Sequence, residues 1–158
     1  MKKTSVKIAL TGFMASGKSS IATLLSDKLA EAFVEIDKEI EITAEKSVSE
    51  IFAIRGENAF RELESQTLAR AISEEIPIIS TGGGIIERPE NIKNLKKAAY
   101  RLIYLSTPMS EIETRLKAPD EKASRPLAQD RDAMLNLFTR RVPLYSCLLY
   151  TSPSPRDS

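Results

Sequence analysis

Apolar residues along the chain come in two rhythms. Short runs rich in β-formers, "SVKIALTGF", "AFVEID", "IPIIS" and "YRLIYLST", alternate with longer stretches where apolar positions return every three or four residues. The short runs predict strands. After the first, "GKSSIATLLSDKLAEAF" carries Ile21, Leu24, Leu25 and Leu29 at helical spacing, which predicts a helix packed through that stripe. Lys38 to about Glu75 is helical in pattern, in three pieces with Gly56 as a break. "RPENIKNLKKA" predicts a helix with Pro89 in its first turn. "PMSEIETRLK" predicts another, and "DRDAMLNLFTRRVPLY" a last one stopped by Pro143. No internal repeat interrupts this order.

Strands alternating with helices imply parallel pairing through right-handed crossovers, hence a three-layer α/β/α sandwich around a parallel sheet. Ligands of such sheets sit beyond the carboxyl ends of the strands. Three glycine- or acid-bearing turns fall there: the loop from Gly12, Asp37 after the second strand, and Gly82, Gly83 and Gly84 after the third. Their shared position predicts one site.

Composition narrows the chemistry. The 158 residues suit one domain able to bury a core. With 42% hydrophobic and 28% charged residues and a net charge of +1, no field favours nucleic acid or a membrane surface. One cysteine, Cys147, and no histidine exclude disulfides, Cys/His metal sites and His-based triads. A cytoplasmic location, no membrane or nucleic-acid partner and a monomer are the expectations. "MKKTSVKIALTGF" begins like an export signal, but its apolar run is too short and leads straight into the glycine loop.

That loop, "GFMASGKSS", fits G-x-x-x-x-G-K-[ST] through Gly12, Gly17, Lys18 and Ser19. Glycines let the backbone curl so that successive N–H groups point at phosphate oxygens, and the following helix adds its positive end. Lys18 is placed to bridge the outer phosphates and the Ser19 hydroxyl to ligate Mg²⁺. The bland alternative is a glycine turn with an incidental lysine; strand before and helix after argue against it. By itself the loop leaves open a kinase, a nucleotide switch or a binding module.

Further residues narrow that choice. "FVEIDKEIE", "FRELE", "STGGG", "RPL" and "RRVPLY" follow the loop in the order and approximate spacing of the shikimate kinases, and from about Val6 to Tyr145 the chain resembles that family. The resemblance implies ATP-dependent phosphorylation of a shikimate hydroxyl, giving shikimate 3-phosphate and ADP, with Mg²⁺. It implies that Gly12, Ala15, Ser16, Gly17, Lys18, Ser19 and Ser20 hold the ATP phosphates. Asp37 matches the second acid of the family's Asp-x-Asp motif, which binds shikimate hydroxyls and helps deprotonate the accepting one. Arg61 and Arg141 match arginines that grip the shikimate carboxylate, a task suited to bidentate guanidinium. Gly82, Gly83 and Gly84 match the stretch that lets substrate lie against backbone N–H groups. Arg125 matches the arginine of a lid that covers the nucleotide and steadies the transferring phosphoryl group. Lys18, Asp37 and Arg125 are thus the implied catalytic residues. Alone, each arginine reads as a surface charge, and Asp37 reads equally as a solvated strand-end acid or as an acceptor for a substrate hydroxyl.

Four departures from the family pattern stand out. Glu35 replaces the first acid of the Asp-x-Asp pair, which reaches the metal shell through water. Ala15 replaces the middle glycine of the loop, at little cost unless positive φ is needed. Cys147 stands where the family carries a glutamate. The following "LLYTSPSPRDS", with two prolines and three serines, shows neither strand alternation nor a helical stripe. The expected division is therefore a kinase domain over 1–146, incomplete without the family's fifth strand and closing helix, and an unrelated, unstructured tail over 147–158. The fourth strand would then be an exposed edge. The rival readings are a gluconate- or nucleotide-type kinase of the same fold, against which the two arginines and three glycines argue, and a binding-only remnant. A GTPase-like switch needs an Asn-Lys-x-Asp segment, and none is present.

Overall fold

The computed structural model describes residues 6–117 and 131–151. The expected lid with Arg125, and residues 152–158, lie outside that range. Among the described residues four strands, β1 (Ile8–Thr11), β2 (Phe33–Glu35), β3 (Ile78–Ser80) and β4 (Arg101–Tyr104), form a sheet of order β2-β3-β1-β4 with every pair parallel. Six helices among the described residues accompany them: α1 (Lys18–Leu29), α2 (Ile36–Ala44), α3 (Val48–Ser73), α4 (Pro89–Lys97), α5 (Met109–Leu116) and α6 (Arg131–Thr151). A 3₁₀ turn, Ile85–Glu87, precedes α4. The parallel α/β sheet expected from the alternation is present.

Successive strand residues feed two unequal cores. Ala9 and Ile79 point into the larger, with Ile36, Ile40, Ile51, Phe60, Leu68, Leu95 and Tyr145. Leu10 and Ile78 point the other way, into a small core that α1 supplies through Ala22, Ile21 and Leu25. The stripe expected on α1 is therefore only half used, because Leu24 and Leu29 are 49% and 41% exposed. The small Ala22 sits at the contact instead, where its size lets the helix approach the sheet. At the edge, β4 has Leu102, Ile103 and Tyr104 half-buried.

Helix boundaries follow local chemistry. Ser47 and Glu50 cap α3 reciprocally, each side chain accepting from the other's backbone N–H. Gly56 (φ 85°, ψ 172°) breaks α3, so the region after Lys38 has the three helical pieces the pattern predicts. Four helix ends are closed by left-handed residues other than glycine: Ala30, Glu45, Glu75 and Ala99, with φ between 53° and 66°. One boundary corrects the reading of the sequence: α6 is not stopped by Pro143 but runs through it to Thr151. A mid-helix proline forfeits the bond to the carbonyl four residues back, at about 3 kcal/mol. Tertiary contacts offset this, since Arg141 and Tyr145 on either side of Pro143 are 3% and 0% exposed and anchored. The boundary expected at Cys147 falls inside this helix.

Candidate active site

A cleft of 920 Å³ opens at the carboxyl ends of the strands. Ala15, Ser16, Gly17, Lys18, Ser19 and Ser20 line one part of it; Asp37, Arg61, Gly82, Gly83, Gly84 and Arg141 line another. Gly12 stands behind that wall rather than in it. A Cβ on Gly12 would meet Ser16 Oγ at 2.7 Å and the Leu105 carbonyl at 2.9 Å, so only glycine fits where β1 turns into the loop. Arg125 is outside the described residues.

Several bonds hold the glycine loop in shape. Lys18, opening α1 and only 9% exposed, folds back and donates from Nζ to the carbonyls of Gly12 (2.6 Å) and Phe13 (2.9 Å). Thr107 Oγ1 donates to the Ser16 carbonyl at 3.0 Å, tying the loop to the segment after β4. Ala15 adopts φ 57°, the left-handed region that the family's glycine would enter freely.

The second part is built from charge. Asp37 lies in the first turn of α2 rather than at the strand end, with Glu35 just before it on the same cleft. Arg61, on α3 beyond the Gly56 break, is 9% exposed and packs against Phe52 and Phe60 at 6.0 and 5.4 Å. Gly84 accommodates its guanidinium, since a Cβ there would overlap it. Arg141 reaches the cleft from α6, with Nη1 3.4 Å from where a Cβ on Gly83 would stand. The adjacent Arg140, the other candidate for that position in the sequence, is 56% exposed and bonds outward to Glu87.

Two residues of the cleft escape the sequence reading. Glu64, 1% exposed, accepts from Arg61 Nη1 at 3.0 Å, while its Oε2 lies against Gly82 without a hydrogen-bond partner among the described residues. Burial pushes its carboxyl up to about 7; the Arg61 charge opposes this and the Asp37 charge adds to it. The available signal is the Arg61-x-x-Glu64 spacing, which sets both on one helix face. Arg115 on α5 donates to the Ala15 carbonyl at 2.8 Å and lines the cleft near Gly17. No local sequence signal separates it from other surface arginines.

In chemical terms the cleft pairs a glycine-bearing loop at the start of a helix with a carboxylate and two buried guanidiniums. Comparison with known proteins agrees. The shikimate kinase family model matches residues 14–151. The shikimate kinase of Dehalococcoides mccartyi is 41% identical over 145 residues, covering 90% of this chain and 80% of that protein. That of Persephonella marina is 39% identical over 139 residues, covering 88% and 83%. Among solved structures, shikimate kinase from Acinetobacter baumannii in complex with shikimate superposes with a TM-score of 0.82 at 31% identity, covering 90% of this chain and 79% of that one. Shikimate kinase from Aquifex aeolicus gives 0.74 at 34% identity, covering 88% and 81%. The chain belongs to the shikimate kinase family, phosphotransferases that use ATP as phosphoryl donor.

Proposed function

We propose that this cleft phosphorylates a ring hydroxyl of shikimate, with the loop from Gly12 to Ser20 holding ATP and the wall of Asp37, Arg61 and Arg141 holding the acceptor. The observation that carries the reading is their union in one cleft of 920 Å³ at the strand ends. Binding ATP draws Lys18 Nζ from the carbonyls of Gly12 and Phe13 onto the outer phosphates, trading two neutral acceptors for anionic ones. Loop N–H groups and the first turn of α1 receive the remaining phosphate oxygens. Arg61 and Arg141 clamp the acid's carboxylate in forked geometry, which fixes the ring. Asp37 accepts the proton of the attacking hydroxyl as its oxygen forms a bond to the γ-phosphorus and the bond to the bridging β–γ oxygen breaks, releasing ADP. Positioning and electrostatics supply most of the acceleration, so the absence of histidine from the chain is no obstacle.

The oxygens present fit Mg²⁺. Ser19 is exposed at the start of α1, and the carboxylates of Glu35 and Asp37 line the same cleft. Among the described residues no cluster of three or more acidic, His or Cys side chains forms a cage. That suits an ion held mainly by phosphates and water, with Ser19 and the longer Glu35 near its shell. When bound, Mg²⁺ supplies neutralisation of phosphate charge.

No helix among the described residues is long and apolar enough to cross a membrane. A small acid as sole partner, a monomeric state and a cytoplasmic location complete the reading.

Coupled ADP release with a panel of acceptors is the test. Release with shikimate, and little with gluconate or a nucleoside monophosphate, is expected; the reverse pattern overturns the assignment.

A further inference from the structure

Arg141 does not enter the cleft unsupported. Its Nε donates to Glu87 Oε1 at 3.0 Å, and Arg140 Nη1 donates to Glu87 Oε2 at 3.0 Å. Glu87 ends the short turn that follows Gly84, so it belongs to the same loop as the three glycines. One helical turn beyond Arg141, the Tyr145 hydroxyl donates to the Gly83 carbonyl, and its ring stacks on Tyr104 at 5.0 Å. Two points of one loop, Gly83 and Glu87, thus hold two points of one helix. The Arg141 side chain is 4% exposed and that of Glu87 17%, while Arg140 is 56% exposed. Burial alone would raise the Glu87 carboxyl; hydrogen bonds and charge from Arg140 and Arg141 outweigh it and hold it below the ordinary range. Glu87 is therefore anionic at neutral pH.

A guanidinium has five donors in a fixed plane. Committing Nε to Glu87 fixes that plane about the long side chain and turns the terminal nitrogens toward the glycine wall, where Nη1 lies. Side chains as long as arginine lose rotamer freedom when immobilised, at a cost in free energy. A partner that has already ordered the guanidinium spares the incoming acid that cost. We infer that Glu87 is the positioning residue for Arg141, presetting its guanidinium to receive the carboxylate of the acceptor. This rests on the acceptor-binding role given to Arg141 above.

Two other roles are physically possible for the same contact, and they predict different results. As a plain anchor for α6, Glu87 would govern stability and leave acceptor binding alone. As a competing anion, it would weaken the hold of Arg141 on substrate, and its removal would tighten binding.

Steady-state kinetics on the full chain separates them. Glu87→Ala is expected to raise KM for shikimate about tenfold, with kcat and KM for ATP within about twofold. Glu87→Gln, whose amide oxygen still accepts from Nε, is expected to keep KM within about threefold of the parent. Arg140→Ala is expected to shift KM less than about twofold, since its arm points outward. In an Arg141→Ala background, Glu87→Ala should have almost no further effect on KM, because a residue acting through Arg141 has nothing left to position. A lowered KM, an unchanged KM with a lowered Tm, or full additivity in the double variant would each overturn the inference. Arg141→Ala with an unchanged KM would remove the acceptor role of Arg141 and this inference with it. A raised KM in Arg141→Ala and none in Glu87→Ala would remove only the latter.

Discussion

The two parts of the cleft are made of different materials. Met14 to Ser20 forms a wall whose backbone path is set by left-handed turns and by loop carbonyls bonded to Lys18, Thr107 and Arg115, with Gly12 behind it. The other wall is made of charged side chains from α2, α3 and α6, brought together over more than a hundred residues of sequence. Backbone recognition depends on path, so an added methyl group can destroy it. Side-chain recognition depends on charge and rotamer, so it weakens in steps and responds to pH.

The same substitution, behind one wall and within the other, breaks this comparison most sharply. In Gly12→Ala the new Cβ meets a backbone carbonyl that cannot swing aside. ATP turnover is expected to fall by roughly 10²–10³, the cost of misplacing phosphate donors. In Gly84→Ala the obstruction is the flexible end of Arg61, which can move away. Folding should survive, KM for shikimate should rise roughly 10–100-fold, the range for losing a charge-assisted contact, and KM for ATP should stay put. Equal damage to both substrates in Gly84→Ala would contradict the division.

A subtler contrast lies in pH. Unfolded Glu64 releases its proton near its model value of 4.5, whereas folded Glu64 holds it to about 7. Between those values the folded chain binds more protons than the unfolded one. The contribution of Glu64 to stability is therefore full below about 4.5 and declines as pH rises through 7. Thermal melts of the parent and Glu64→Gln from pH 4.5 to 7.5 should show a Tm difference that grows in favour of the variant. A constant difference would mean that Glu64 titrates normally.

The smallest effect concerns Ala15. A non-glycine residue in the left-handed region costs about 1–2 kcal/mol, and replacing it with glycine returns about 0.4–1 kcal/mol of unfolded-chain entropy. Strain wins: Ala15→Gly should stabilise by roughly 0.5–1 kcal/mol, or about 1–4 °C in Tm. Calorimetry decides it, and a lowered Tm would show that packing of the methyl group outweighs the strain.

Legibility in the sequence follows the same division. The phosphate loop is local, so Gly12, Gly17 and Lys18 declare it within seven residues, and its strand and helix flank it as expected. Gly56 declares the break in α3 for the same reason. Asp37, Arg61, Gly82 to Gly84 and Arg141 come into view only as a family pattern, because no local chemistry distinguishes a cleft arginine from a surface one. The structure gathers all six onto one cleft. Glu64 stays hidden because a glutamate on a charged helix reads as a solvated face, whereas in the fold it lies against Gly82 from another part of the chain. Arg115 stays hidden because its partner is a carbonyl a hundred residues away. Leu24 and Leu29 mislead in the opposite direction: apolar periodicity reports what a helix can bury, and the sheet contact of α1 takes only Ile21, Ala22 and Leu25. Pro143 misleads because breaker rules price an isolated helix, whereas α6 is pinned on both sides of the proline.

The placement of glycine carries a last consequence. Five of the six glycines serve the cleft and the sixth kinks α3, while Ala30, Glu45, Glu75 and Ala99 close helices in a geometry that favours glycine. Mutational drift toward glycine at those four ends leads uphill in stability and leaves the cleft untouched. The chain thus keeps a reserve on which costly changes around its substrates can draw.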